Sequence, residues 1–512
     1  AASRALERVA LRAAAGDPDG FEPIDPEIME SLRGGYAGGD GWLLRFGIDV
    51  ATYANGSLVA QGTLGHGELS RDGVTITRAP AWARAEISET RKRLDLFAEK
   101  IHSGAHRGST GARIRHVVHI GIGGSDLGPR VLTEALTPFY PEKLRLSYAA
   151  NIDETEIGLV LRDAVPGETL FIVASKSFST AETLANARFS RQWLESALGA
   201  GVDLGAHFVA ISNNVAAAEE FGIKTENIFP MPEWVGGRFS VWSAIGLPVI
   251  LAFGSEVFDE FLAGGRSMDA HFADAPFAEN LPVLLALIGI WNASFLGLGG
   301  LAVLPYSHPL RKLPAYLQQL EMESNGKHVD RHGLVVELPT APILFGGPGT
   351  VGQHAYHQLF YQGNRSVALD FVVPIEKTAT MAGRSLVGNA LAQASALMLG
   401  RTLAEASAEL TAKGLSPIEV ERLAPHLVCG GNQPSNTLVL PALSPFTLGQ
   451  LLALYEHKVF VQGWIWGINS FDQYGVELGK NMARKLEAGG REAGDASTRG
   501  LLAEIEARWA RL

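Results

Sequence analysis

Apolar and polar positions come in blocks along this chain. Between residues 114 and 211, three short runs (His116–Ile120, Leu170–Ala174 and His207–Ile211) are dominated by apolar residues, the pattern of strands buried on both faces. Stretches with helical spacing, such as Glu182–Leu194, lie between them. This alternation predicts a parallel sheet covered by helices. A second set follows Leu281, with Val303–Leu304, Ile343–Phe345 and Val367–Val373 as strands and Leu310–Met322, Gln353–Gln362 and Ser385–Leu399 as helices. The expected fold class is α/β, with two doubly wound parallel-sheet domains and a mostly helical C-terminal tail from about Leu451. Ligands of such folds bind at the C-terminal strand ends.

Leu281–Pro305 carries no charge and is long enough to span a bilayer. Asn292, Ser294, Gly297, Gly299 and Gly300 interrupt it, and flanking Lys/Arg and aromatic belts are missing. It reads as a buried helix followed by a strand at Leu301–Leu304, so no membrane partner is expected. Residues 1–90 are rich in Gly and Ala and weakly periodic. Ala1–Gly16 has arginines but no apolar h-region, which argues against a secretory signal.

Composition narrows the function. With 512 residues, 46% hydrophobic and 19% charged, the chain has room for two or three core-bearing domains. A net charge of -11 argues against a nucleic-acid partner. Any anionic substrate must then be drawn in by local cations. The single cysteine, Cys429, excludes an intramolecular disulfide and a cysteine metal site, so a reducing, cytoplasmic location is expected.

The candidate chemistry sits in glycine- and hydroxyl-rich loops. Gly121-Ile122-Gly123-Gly124-Ser125-Asp126-Leu127-Gly128-Pro129 follows the first apolar run. A strand that ends in small residues and opens a helix aims backbone N–H groups and a serine hydroxyl at one spot, which suits an anion. Asp126 replaces the third glycine of G-x-G-x-x-G, and no Lys-Ser/Thr follows, so neither a dinucleotide nor a P-loop site fits. A cradle for a smaller phosphate remains. Ser175-Lys176-Ser177-Phe178-Ser179-Thr180 supplies a second anion site behind the next strand. A plain helix cap would need only one of these hydroxyls.

Three further segments carry charge. Gly236-Gly237-Arg238 lets the backbone bring a permanent cation close to a ligand. Glu323 closes a helix whose last turns carry Gln318 and Gln319, with Gly326 as a C-cap candidate. A glutamate there faces the negative end of the helix dipole, as a general base can. Gly346-Gly347-Pro348-Gly349-Thr350 leads to His354 near a helix start, with His357 three residues on. This pair lacks companion ligands, so no metal is expected.

In order along the chain, the 121–129 loop, Ser175–Thr180, Val235–Gly246, Met322–Lys327, Gly352-Gln353-His354 and Asn469–Lys480 resemble the glucose-6-phosphate isomerase (phosphoglucose isomerase) family. The resemblance runs from about Leu94 to the C-terminus. It implies two flavodoxin-like sugar-isomerase (SIS) domains, over 91–250 and 276–455, and a helical arm over 456–512; residues 1–90 depart from the family's usual N-terminal pattern and read as a divergent region. It further implies a homodimer without cofactor, and reversible conversion of glucose 6-phosphate to fructose 6-phosphate in glycolysis and gluconeogenesis. Ser125, Ser175, Ser177 and Thr180 would hold the phosphate, with Gly124, Lys176, Phe178 and Ser179 lining it. Glu323 would be the base and Arg238 the enediolate stabiliser. His354, paired with Glu182, and Lys480 would assist ring opening, while Gln319 and Gln473 would position the sugar.

Two other readings compete. A non-catalytic SIS sensor could discard Glu323, His354 and Lys480, all of which are present. An aminosugar-phosphate isomerase would often carry a nucleophilic cysteine near its N-terminus, where this chain has none.

Overall fold

The computed structural model describes residues 51–54, 57–60, 69–70, 73–74, 81–140, 143–375, 380–488 and 494–511. Most of the 1–90 region lies outside them. Its described parts are two short antiparallel pairs, β1 (Ala51–Ala54) with β2 (Ser57–Ala60) and β3 (Leu69–Ser70) with β4 (Gly73–Val74), and the start of the helix Ala81–Ser103.

The first large sheet contains β5 (His116–Ile120), β6 (Arg145–Ala149), β7 (Thr169–Ala174), β8 (Phe208–Ile211) and β9 (Ile228–Phe229). All pairs are parallel, in the order β6-β5-β7-β8-β9. That is the flavodoxin-like winding, whose order reverses at the first strand. The central strands β5, β7 and β8 are buried throughout, which explains their apolar runs. Val118, Phe171, Val173, Phe208 and Ala210 join Ala187 and Leu194 of the helix Ala181–Leu198 in one core.

The second sheet holds β10 (Gly300–Pro305), β11 (Ile343–Gly346), β12 (Ala368–Pro374) and β13 (Ser435–Leu440), parallel, in the order β11-β10-β12-β13. Its winding repeats the first. Leu304, Leu369, Phe371 and Val373 pack with Phe360 and Leu397. Both doubly wound sheets expected from the alternation are therefore present.

In these two parallel sheets, three strands escaped the apolar pattern. β6 and β13 lie at sheet edges and carry exposed or half-buried positions along their length, while β9 is two residues long. Edge strands bury one side at most, so polar residues interrupt their runs.

Leu281–Ile290 is a helix, followed by a π turn at Trp291–Phe295 and then β10. Val283 and Ala286 pack in a core with Phe272 and Val461. Among the described residues no helix is long and apolar enough to cross a membrane. The helix Pro445–Trp466 is buried along almost its whole length. The chain divides into two compact units, Ala1–Ser470 and Phe471–Leu512. The second contains the helices Glu477–Glu487 and Ala496–Trp509.

Two expected helices need correction. Leu310–Met322 is not one α-helix. It begins at Leu313, with Pro314 in its first turn, where a missing N–H costs nothing, and widens to a π turn over Gln319–Glu323. Gln353–Gln362 is two pieces, Gly349–Gln353 and His357–Gln362. His354 therefore caps the end of one helix rather than standing near the start of the next.

Candidate active site

The order of the first sheet reverses at β5, and the loops after β5 and β7 flank that point. The helix Gly124–Leu136 starts inside the first loop, with Gly123 as its N-cap at φ 60°. A Cβ on Gly124 would stand 1.9 Å from the Gly237 carbonyl oxygen. Glycine here thus lets this loop touch the turn that carries Arg238. Ser240 Oγ donates to both Gly237 O, at 2.7 Å, and Gly124 O, at 3.3 Å. Gln319 also reaches this loop, its Nε2 being 3.2 Å from where a Cβ of Gly123 would be. Beneath it, buried His119 lies 2.6 Å from the Ser125 carbonyl through Nε2. Burial pushes its imidazole down to about 4, so the ring is neutral and Nε2–H is the donor.

The second loop is held by its own hydroxyls. Ser175 Oγ and Thr180 Oγ1 are 3.0 Å apart, and Ser177 Oγ and Ser179 Oγ 2.6 Å apart. Thr180 is the N-cap of Ala181–Leu198, yet its side chain makes no capping bond. Plain capping thus fails to explain the run. Phe178 adopts φ 50°, a left-handed conformation costly for a side-chain-bearing residue. Its ring is anchored in the core and packs edge-on against Phe221. Lys176 is also anchored to the backbone. Its ammonium donates to the carbonyls of Glu233, at 2.6 Å, and Val235, at 3.1 Å, so it ties the loop to the segment leading into Gly236-Gly237-Arg238.

Arg238 is fully buried. Its Nε donates to Ser324 Oγ at 2.7 Å and its Nη2 to the Ser470 carbonyl at 2.5 Å, while Nη1 stands 3.4 Å from Glu323 Oε2. That oxygen is buried and accepts no hydrogen bond among the described residues, so what faces it is the guanidinium charge. Lys327 Nζ donates to the carbonyls of Glu323, at 2.7 Å, and Ser324, at 2.8 Å, closing the C-terminal end of the helix. Gly326 follows the last helical residue. Ser470 and Asn325 continue the support: Ser470 Oγ donates to Asn325 Oδ1 at 2.7 Å, and Asn325 Nδ2 to the Val459 carbonyl at 3.0 Å. Ser324 and Ser470 had drawn no role from the sequence. Their signal is position alone, one beside Glu323 and one beside Phe471.

The remaining candidates are placed apart. Glu182 lies half-buried in the first turn of Ala181–Leu198, and His354 is exposed. No hydrogen bond or ion pair joins the two within one chain, among the described residues. His357 is buried and its Nδ1 lies 3.1 Å from Gln393 Oε1, so the two histidines do not form a pair. No group of three or more His, Cys, Asp or Glu is placed to hold a metal among the described residues. Gln473 and Lys480 belong to the second unit. Lys480 there pairs with Glu477 at 2.9 Å.

A carboxylate ion-paired with a buried guanidinium and two hydroxyl-lined loops at a sheet switch point suit proton abstraction next to a carbonyl in a phosphorylated substrate. A family model described as phosphoglucose isomerase matches residues 71–502. A glucose-6-phosphate isomerase of Aromatoleum aromaticum is 59% identical over 84% of this chain and 79% of its own length. One from Ectopseudomonas mendocina is 51% identical over 81% and 76%. The crystal structure of a glucose-6-phosphate isomerase from Chlamydia trachomatis superposes with a TM-score of 0.74 at 30% identity, covering 95% of this chain and 90% of that one. Together with the pairing of Glu323 and Arg238, these matches make the chain a member of the phosphoglucose isomerase family.

Proposed function

We infer that this chain is an aldose–ketose isomerase that interconverts glucose 6-phosphate and fructose 6-phosphate through an enediol, in glycolysis and gluconeogenesis. The observation that carries the reading is the 3.4 Å approach of Arg238 to Glu323, on a turn that touches the Gly124 loop and to whose leading segment Lys176 of the second loop is tied. Glu323 takes the proton from C2 of the open-chain aldose as the carbonyl electrons move to O1. Arg238 faces the oxyanion that forms, the O2 hydroxyl proton passes to O1, and the proton taken from C2, or one exchanged with solvent, returns to C1 as the C2 carbonyl forms. Ser125, Ser175, Ser177, Ser179 and Thr180 grip the phosphate, with Gly124, Lys176 and Phe178 shaping the cradle. This remote grip lends binding energy to orient the reacting carbons. Gln319, which lies against the Gly123 turn, and Gln473 position the sugar.

Ring opening is assigned to His354, Glu182 and Lys480. The exposure of His354 in one chain supports its delivery into the site of a second copy, so the working unit is read as a homodimer, located in the cytoplasm and without a nucleic-acid partner. A coupled assay of fructose 6-phosphate formation tests the activity. A purified chain that binds sugar phosphate but neither isomerises it nor exchanges its C2 proton would instead be a sensor.

A further inference from the structure

Glu321 precedes Glu323 by two residues on the same π turn and points elsewhere. Its Oε2 accepts a 2.6 Å hydrogen bond from Lys458 Nζ, with both side chains 2% exposed. Lys458 projects from the buried helix Pro445–Trp466. One turn earlier on that helix, Tyr455 donates to Asp370 Oδ2 at 3.0 Å, and Asn436 Nδ2 donates to Asp370 Oδ1 at 2.8 Å. Asp370, on β12, is fully buried; desolvation raises its pKa, and the nearby Lys458 charge opposes that rise. A row of buried polar groups thus runs from β12 and β13, through the helix, to the turn that presents Glu323.

Stability does not explain such a pair. Removing two charges from water costs about as much as their attraction returns, and apolar replacements of similar volume are often neutral or stabilising. Register does explain it. A π turn carries one residue more than an α turn, and relaxing it would rotate every following residue by about 100° around the axis. Glu323 would then leave Arg238. Glu321 sits in the middle of the widened turn, where a fixed partner on the opposite side holds the extra residue in place.

We propose that Lys458, acting through Glu321, is a positioning residue that locks the π turn and so aims the Glu323 carboxylate at the reacting carbons. The proposal rests on the reading of Glu323 as the base. In the double variant Glu321→Leu/Lys458→Met of the full-length enzyme, both charges go and the volume stays. Its urea midpoint is expected to hold or rise and its KM for glucose 6-phosphate to stay within about twofold, while kcat falls about 10- to 100-fold, the scale of a misplacement near 1 Å. The isotope effect on kcat with substrate deuterated at C2 should rise, because the proton transfer becomes slower relative to other steps.

Wild-type kcat in the folded double variant overturns the proposal. If the double variant does not fold, Glu321→Gln decides: it keeps an oxygen for Lys458 but weakens the bond, and kcat should drop about three- to tenfold at unchanged KM. Wild-type kcat there also overturns it. Glu323→Gln, run alongside, separates the two readings. Loss of C2 exchange in Glu323→Gln with full activity in the double variant removes the positioning role alone. Retained exchange in Glu323→Gln removes the base itself.

Discussion

Arg238 Nη1 stands 3.4 Å from Glu323 Oε2. The guanidinium is held there by Ser324 and by the Ser470 carbonyl, so its position does not depend on a substrate. In the proposed reaction, a cation fixed in advance beside the proton acceptor meets the oxyanion without reorganising, which is the condition under which such groups lower a barrier most.

Glu323→Gln keeps the shape and removes the proton acceptor. We expect kcat to fall by several orders of magnitude with little change in substrate binding. Exchange of the C2 proton with solvent, followed by NMR, checks the assignment; near-normal exchange in the variant sinks it.

Arg238→Lys retains charge but cannot supply donors to Ser324, to Ser470 and toward Glu323 from one planar fork. The expected loss is about 100- to 1000-fold in kcat, the size seen when an oxyanion donor is removed. A Lys variant within tenfold of wild type would mean that charge alone suffices.

Ser177→Ala with Thr180→Ala removes two of the proposed phosphate donors. KM for glucose 6-phosphate should rise at least about tenfold, since hydrogen bonds to charged groups are worth about 1.5 to 3 kcal/mol each. Thr180 makes no capping bond, so stability should move by less than the cost of a lost cap, about 1 kcal/mol. The opposite pattern, a collapse in urea midpoint at constant KM, would return these residues to a structural role.

If His354 serves the partner's site, Glu323→Ala and His354→Ala are each inactive as homodimers. A mixed dimer then has one site lacking both residues and one with both intact. Random exchange of equal amounts should restore roughly a quarter of wild-type activity, because about half the dimers are mixed and each has one good site. Intact-mass measurement confirms exchange; activity that does not recover would place His354 in its own chain or outside the site.

Acid should loosen the first sheet through His119. Its folded value is depressed to about 4 by burial, below the ordinary 6.5, so the unfolded chain binds the extra proton between those values. The stabilisation is therefore complete above pH 6.5 and lost as pH falls toward 4, amounting to about 3 kcal/mol for a shift of this size. His116, also pushed down to about 4 by burial with Arg145 adding to it, contributes in the same direction. His119→Gln should flatten the fall of the urea midpoint between pH 6.5 and 4. An unchanged slope would be evidence against a neutral buried imidazole.

What could be read from the chain itself was local. His116–Ile120 and Leu170–Ala174 announce buried strands because their runs are apolar, and the loops after them suggest an anion site because glycines and hydroxyls cluster where a helix begins. The two doubly wound sheets follow from that alternation. Tertiary structure decided everything that joins distant segments. The edge strands β6 and β13 gain their identity from a neighbour rather than from an apolar run. The widening of the turn at Gln319–Glu323, the clamp of Ser324 and Ser470 on Arg238, and the buried Glu321–Lys458 pair leave no periodic trace. Periodicity reports which side of an element faces an apolar interior. It does not report which polar group, brought from a remote part of the chain, will be waiting there.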